Sequence, residues 1–401
     1  MEFLVGAVIV AVLLFDVFQS VVMPRWTSRT LRVAPRLVDF IWPQWKRAGF
    51  RMREGEHRED FLGTFGPLVL MLILVMWVLG LIFGYGLMIH ALRDQIRPPI
   101  NNWSSAFYLA GTSLLTIGYG DFVATGGAAR VVVLVAGAGG LAVVALVISL
   151  IFTLYGSFQR REVLVLTLDA RAGSPPSGVT LLETYARFGM LDELPATFRE
   201  WENWAAEVLE SHRAYPVLPY FRSSHDNESW VGALGAVLDA ATLMITTVDA
   251  GPDDGDAIAS DEVVGDEVVG DEDNEAVHIE EAERRRLARR ARGAAHMMHG
   301  LGTHAVLDLG HWFGLPRGNE PGVEQIEFHL ARGRLSKAGY VLREADQSWR
   351  DFREMRALYA TPLNAMARHF ATPPTQWIGD RSDISYIHRH VEHLTQAGQA
   401  D

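Results

Sequence analysis

The stretch Thr116-Ile117-Gly118-Tyr119-Gly120-Asp121-Phe122, TIGYGDF, lies between two of the most apolar segments of the chain. Alone, GYGD reads as an ordinary turn, because glycine adopts positive φ without steric penalty and aspartate tolerates turn geometry. The neighbourhood changes that reading. Upstream, Phe61 to Leu92 carries no Asp, Glu, Lys or Arg, and downstream Val131 stays uncharged until Arg160. Each run is long enough to cross a hydrocarbon layer about 30 Å thick. A third run, Met1 to Met23, is interrupted only by Glu2, Asp16, Gln19 and Ser20 and also has the length of one crossing. A cleaved signal peptide is disfavoured there by Glu2, where a basic start is expected, and by Val-Val-Met-Pro where small residues should prepare cleavage.

Orientation follows from basic residues beside the membrane. Arg25, Arg29, Arg32, Arg36, Lys46, Arg47, Arg51, Arg53 and Arg58 separate the first two runs, and Arg160 and Arg161 follow the third. Both flanks read as cytoplasmic, which places the N-terminus and the link from Arg93 to Asn102 outside and the long tail inside. Asn102 to Phe122 is then too short and too polar to cross and return as two helices, so it dips in and comes back. WSSAFYLAGTSLL, 103–115, reads as a short helix and TIGYGDF as the strand that climbs out. Non-helical backbone at membrane depth is tolerated only against protein or a water-filled path, since its carbonyls need partners. Here those partners would be ions.

At this point the chain resembles the potassium channel pore family. The family pattern Thr-x-x-Thr-x-Gly-Tyr-Gly-Asp is matched from Ser113 to Asp121, with serine replacing the first threonine. The resemblance, which covers Phe61 to about Arg161, implies four loops whose backbone carbonyls replace the hydration shell of K⁺. It assigns ion binding to Thr116, Ile117, Gly118, Tyr119 and Gly120, and support behind the filter to Asp121, Ser113 and Thr112. It also implies a gating hinge at Gly140, twenty residues past Gly120, with Gly137 as a second candidate. Phe152 and Tyr155 are candidates for a hydrophobic inner gate. Leu115 replaces a second threonine of many relatives, and Thr112 stands where some carry an acid. One pore segment cannot enclose an axis, so a homotetramer is expected.

A rival motif is Gly137-x-Gly139-x-x-Ala142, which satisfies a dinucleotide-binding fingerprint with Glu162 as acidic partner. The helix after such a turn should be amphipathic, whereas Leu141 to Leu154 is apolar all round, so it belongs among lipid or other helices. Gly137 and Gly139 are alternatively close-packing points.

Arg25, Arg29, Arg32 and Arg36 recur every three or four residues, yet Pro24 and Pro35 interrupt them and no apolar span surrounds them. With Trp26, Trp42 and Trp45 they read as a cytoplasmic segment at the lipid interface rather than a voltage sensor. Asp16 is either a functional intramembrane acid or a helix–helix hydrogen-bonding group.

The tail begins with a strand-like EVLVLTLDA, 162–170, then a Gly-Ser-Pro-Pro linker and helices at 194–213 and 229–248, the latter read as a buried core helix despite Asp239. Asp253 to Glu283 holds fourteen acids and no Lys or Arg, including DEVVG-DEVVG, which is the composition of a disordered linker. Arg284 to Arg292 starts a long helix. His296, His299, His304 and His311 fit no fixed ligand spacing, and Gly300-Leu301-Gly302 reads as a break between them. Trp349, Phe352, Met355, Tyr359, Leu363 and Met366 step by three or four and mark one amphipathic helix.

The expected organisation is an all-α membrane protein, a tetrameric pore-loop channel module with a mostly helical cytoplasmic C-terminal domain. Its parts are an N-terminal transmembrane helix at 1–24, a basic interfacial segment at 25–60 and a pore module at 61–161. Within the pore module lie the outer helix 61–92, pore helix 103–115, filter 116–121 and inner helix 129–158. The tail divides into 162–248, the acidic linker 249–283, and 284–401. The absence of cysteine excludes disulfides, thiolate metal sites and thiol nucleophiles. The net charge of −12 comes mostly from the acidic run, and nucleic acid is not indicated. No catalytic residue or cofactor is expected; K⁺, the lipid bilayer, three further copies of the chain and an unidentified cytoplasmic ligand are. The function expected is passive K⁺ conduction across the plasma membrane, gated at the inner helix under control of the tail. A membrane-anchored scaffold whose tail binds a partner protein is the alternative.

Overall fold

The computed structural model describes residues 1–21, 33–52, 56–223, 228–251 and 272–379. Arg25, Trp26, Arg29 and Arg32, and residues 252–271 of the acidic run, lie outside the described residues. The chain folds as two compact units, one of Met1–Gln159 with Ala214–Arg222 and the other of Arg160–Arg213 with Ser223–Asp401. Among the described residues three helices are long and apolar enough to cross a membrane, Glu2–Val21, His57–Ala91 and Gly127–Ala172.

The first unit holds α1 (Glu2–Val21), α2 (Val33–Gly49), α3 (Glu56–Gly63), α4 (Phe65–Ala91), α5 (Trp103–Leu114) and the first part of α6 (Gly127–Ala172). α1 lies against α4 at glycines. A Cβ on Gly6 would sit 2.5 Å from the Gly84 carbonyl oxygen, the close approach that small residues permit between apolar helices. Two polar contacts then fix the register of the pair. The Trp77 indole donates to buried Asp16 at 2.8 Å, and Glu2 meets His90 at 2.9 Å. Asp16 is thus a helix–helix hydrogen-bonding group.

α5 nests on α4 where Phe107 covers Gly86, a position at which any side chain would collide with the ring. After α4 the chain forms β1 (Ile96–Arg97), which pairs antiparallel with β2 (Val123–Ala124) just beyond the TIGYGD stretch, in the register Ile96 to Ala124. At the opposite end of α4, Trp45 of α2 stacks on Phe61 with centroids 4.5 Å apart and donates its indole N–H to the Phe61 carbonyl.

The second unit holds the end of α6 with α7 (Gly178–Arg187), α8 (Leu194–Ala214), α9 (Trp230–Thr246), α10 (Glu272–Trp312), α11 (Gln325–Lys337), α12 (Ala345–Ala357) and α13 (Ala360–Phe370). Every residue of α9 is buried, and α7, α10, α12 and α13 surround it. Asp239, the single acid of α9, meets the Arg356 guanidinium at 2.8 Å and accepts from the Tyr359 hydroxyl at 2.7 Å. Arg356 also donates to the carbonyls of Trp377 and Pro321. A charge in such a core is tolerable only when paired and hydrogen-bonded, and this set meets that condition.

Four expectations are corrected. EVLVLTLDA is helical, because α6 runs on to Ala172 and buries Arg161, Val165, Leu168 and Ala172 at helical spacing. Gly300-Leu301-Gly302 does not break α10, since Gly302 provides room for Leu238, whose Cδ2 would lie 2.8 Å from a Cβ there. The helix of the arginine cluster begins at Glu272, so 272–283 is helical rather than linker. The stripe from Trp349 to Met366 belongs to two helices, α12 and α13. The first ends at Ala357 and the second starts at Ala360, and Pro362 in its first turn has no N–H to give the Leu358 carbonyl.

Candidate functional site

Asn102 opens α5 as a cap, its Oδ1 accepting from the Ser105 N–H at 2.8 Å. Side-chain caps of this kind satisfy one of the orphan donors of a helix start. The helix points its C-terminus, with its partial negative charge, toward the start of the TIGYGD stretch, an arrangement that favours a cation there.

There the backbone reverses tightly. The Thr116 N–H donates to the Ser113 carbonyl at 3.0 Å, and the Ile117 and Gly118 N–H groups both donate to the Thr112 carbonyl, at 2.8 and 3.2 Å. Beyond this point φ is positive at alternate residues, +55° at Thr116, +56° at Gly118 and +81° at Gly120. Positive φ at every second residue departs from the geometry of an ordinary strand, in which successive carbonyls point to opposite sides. Two of the three positions are glycines, which adopt these angles freely, whereas Thr116 is β-branched and strained by roughly 1–3 kcal/mol. Among the described residues, no backbone N–H donates to the carbonyls of Thr116, Ile117, Gly118 or Tyr119.

Behind this strand stands Tyr108 of α5. Its ring stacks on Tyr119, centroids 6.5 Å apart and planes 4° from parallel, and meets Phe122 edge-on at 6.2 Å. Sequence reasoning missed Tyr108, although it shares a face of α5 with Thr112 at a spacing of four. Thr112 is buried and its hydroxyl bonds the Leu109 carbonyl. Outside the strand, Gln95 closes the mouth, its carbonyl accepting from the Thr125 N–H at 2.8 Å and its side-chain oxygen from the Ala129 N–H.

α6 supports the strand from below. Gly140 lies directly on the Leu114 carbonyl at the end of α5, with no space for a Cβ, whereas a Cβ on Gly137 would make an ordinary 3.5 Å contact with the Ser113 carbonyl. The helix is continuous through both glycines. Further along, Phe152 is 76% exposed in the single chain, and Tyr155 meets Phe221 edge-on at 5.9 Å. The structure therefore brings Thr112, Ser113, Asp121 and the 116–120 strand together with Gly137 and Gly140, and leaves Phe152 and Tyr155 further along α6.

The histidines of α10 do not converge. His299 is buried against Tyr359, His304 is exposed beside Asp308, and no group of three metal-binding side chains occurs among the described residues.

Residues 70–156, from within α4 to the far part of α6, match the family described as Ion channel. They form a pore-loop ion-channel module. Over 223 residues the chain is 23% identical to the uncharacterized membrane protein YdjJ of Bacillus subtilis (strain 168), a match covering 55% of this chain and 64% of that protein. The chain thus spans less than two thirds of that relative. No solved structure matches it.

Proposed function

We propose that the protein is a K⁺-selective channel, a homotetramer in which four 116–120 strands surround one axis. The observation that carries this reading is the alternation of positive φ at Thr116, Gly118 and Gly120 between a short capped helix and a membrane-spanning one. Four strands with carbonyls turned to one side would replace the hydration shell of a dehydrated cation by rings of oxygens. Thr116 to Gly120 hold the ion; Thr112, Ser113, Tyr108 and Asp121 hold the strand. The exposure of Leu115, Ile117 and Tyr119 in one chain, at 48%, 48% and 70%, supports assembly, because a loop at membrane depth needs protein or a water path around it.

In this reading the N-terminus and the β1–β2 mouth face outward, the basic segment and the second unit are cytoplasmic, and the membrane is the plasma membrane. The second unit biases a gate near Phe152 and Tyr155, and the protein carries out no chemical transformation. The test is ion flux from liposomes holding the full-length protein, with K⁺ or Na⁺ as the only permeant cation. Flux in K⁺ and none in Na⁺, lost on Gly118→Ala in protein that still assembles, is the expected result. Equal flux of both ions, or normal selectivity in the variant, would overturn it.

A further inference from the structure

Nine residues of the tail belong to the membrane unit. α8 ends at Ala214, residues 214–222 fold with α1–α6, and the chain returns to the second unit at Ser223. The segment carries a short turn at Leu218–Tyr220, and Val217, Leu218, Tyr220 and Phe221 are all buried.

Its contacts fall on four elements, α2, α3, α4 and α6. The Tyr220 ring lies 5.1 Å from Trp42 of α2 and 5.3 Å from Phe65 at the start of α4. Phe221 reaches the end of the membrane-spanning part of α6, 5.9 Å from Tyr155 and 5.7 Å from Phe158. It rests on Gly66, where a Cβ would come within 2.7 Å of the ring, so the fit depends on a missing side chain. Arg222 closes the segment with an ion pair to Glu59 of α3 at 2.5 Å, the two side chains 14% and 26% exposed. A charge-assisted contact so shielded from water is stronger than an exposed one.

The helix that leads into this segment also holds the next turn of α6. Arg161 donates from Nη1 to the His212 Nε2 at 3.2 Å, and the Trp204 indole donates to the Arg161 carbonyl at 3.1 Å. Within the first unit Phe221 thus lies against α6 at Tyr155–Phe158, and within the second α8 holds it at Arg161.

We propose that residues 214–222 are the coupling clasp through which the second unit sets the position of the inner end of α6, with Phe221 and Arg222 as positioning residues for the gate. The proposal rests on the channel reading for its functional consequence. The contacts themselves do not depend on it.

The experiment compares full-length wild type with Phe221→Ala, Arg222→Gln, Glu59→Gln and the Arg222→Gln/Glu59→Gln double variant. Single-channel recording in planar bilayers and amide hydrogen exchange are read on the same preparations. The polar variants remove little buried surface and keep the test valid should Phe221→Ala misfold. The expected result is unchanged unitary conductance and K⁺ over Na⁺ preference, with open probability shifted about fivefold or more in one common direction. The two polar changes should combine non-additively, as contacting partners do. Exchange should rise at 152–158 and stay as in wild type at 112–121. Open probability within about twofold of wild type in every variant would overturn the clasp, as would unchanged exchange at 152–158. A silent wild type would count against the pore reading and leave exchange to decide the clasp.

Discussion

The Tyr108 ring stacks on Tyr119, centroids 6.5 Å apart, and meets Phe122 edge-on at 6.2 Å, so one residue of the short helix lies against the strand on both sides of Gly120-Asp121. Tyr108→Leu removes this stacking and Tyr108→Phe keeps it. K⁺ selectivity should survive in both, while decay of K⁺ flux during sustained conduction should accelerate about fivefold in the leucine variant alone. An unaltered decay in that variant would show that the ring does not restrain the strand.

Gly140 and Gly137 separate packing from hinge function. A Cβ at Gly140 would run into the Leu114 carbonyl, where backbone rather than a flexible side chain must yield, whereas at Gly137 it would make ordinary contact. Overpacking typically costs about 1–3 kcal/mol. Gly140→Ala should therefore lower thermal stability and the assembled fraction in detergent, and Gly137→Ala should change neither. If both variants were equally stable and differed only in open probability, the hinge assignment of Gly140 would gain and the packing account would fail.

The sequence exposed the membrane module well because its signals are compositional: uncharged runs of spanning length, and glycines at alternate positions between them. Tyr108 was within reach, one helical turn before Thr112, but a tyrosine on an apolar helix has no mark distinguishing a bracing side chain from a packed one. EVLVLTLDA satisfies period two and period 3.6 alike, and only the burial of Val165 and Leu168 on one helix face decides between them. The stripe from Trp349 to Met366 had the right period, yet two helices share it, with Pro362 in the first turn of the second. Least legible was the return of 214–222 to the membrane unit, since Phe221 meets Tyr155 and Gly66 across large sequence distances and no local pattern records such a contact.

The Asp239–Arg356 pair makes the second unit sensitive to loss of one partner and tolerant of losing both. Burial disfavours the charged Arg356, and the Asp239 carboxylate beside it more than offsets that, leaving the guanidinium above its usual range. Arg356→Leu strands the carboxylate in the core and should cost about 3–5 kcal/mol. Asp239→Leu combined with Arg356→Met should come close to wild type in Tm. A double variant as unstable as the single would mean that the bonds from Arg356 to the Pro321 and Trp377 carbonyls matter more than the pair.

His299 predicts how stability responds to acid. It is buried on α10 against Tyr359, and its Nε2 has no hydrogen-bond partner among the described residues. Burial lowers its pKa from 6.5 to about 4, against the opposing effect of a hydrogen bond to the Met355 backbone and with a smaller push from His296. His212 is displaced in the same direction by burial, and then by the charge of Arg161. Above pH 6.5 each ring is neutral in folded and unfolded chains and contributes no pH dependence. Below 6.5 the unfolded chain binds a proton that the folded chain refuses, so stability falls with pH, for His299 until about 4 where the folded ring also titrates. The loss across that window is about 3 kcal/mol for His299, at roughly 1.4 kcal/mol per pKa unit. His299→Leu should flatten the fall in Tm between pH 6.5 and 4.5 while leaving Tm at pH 7.5 nearly unchanged. A slope identical to wild type would mean that His299 takes up its proton in the folded chain as readily as in the unfolded one.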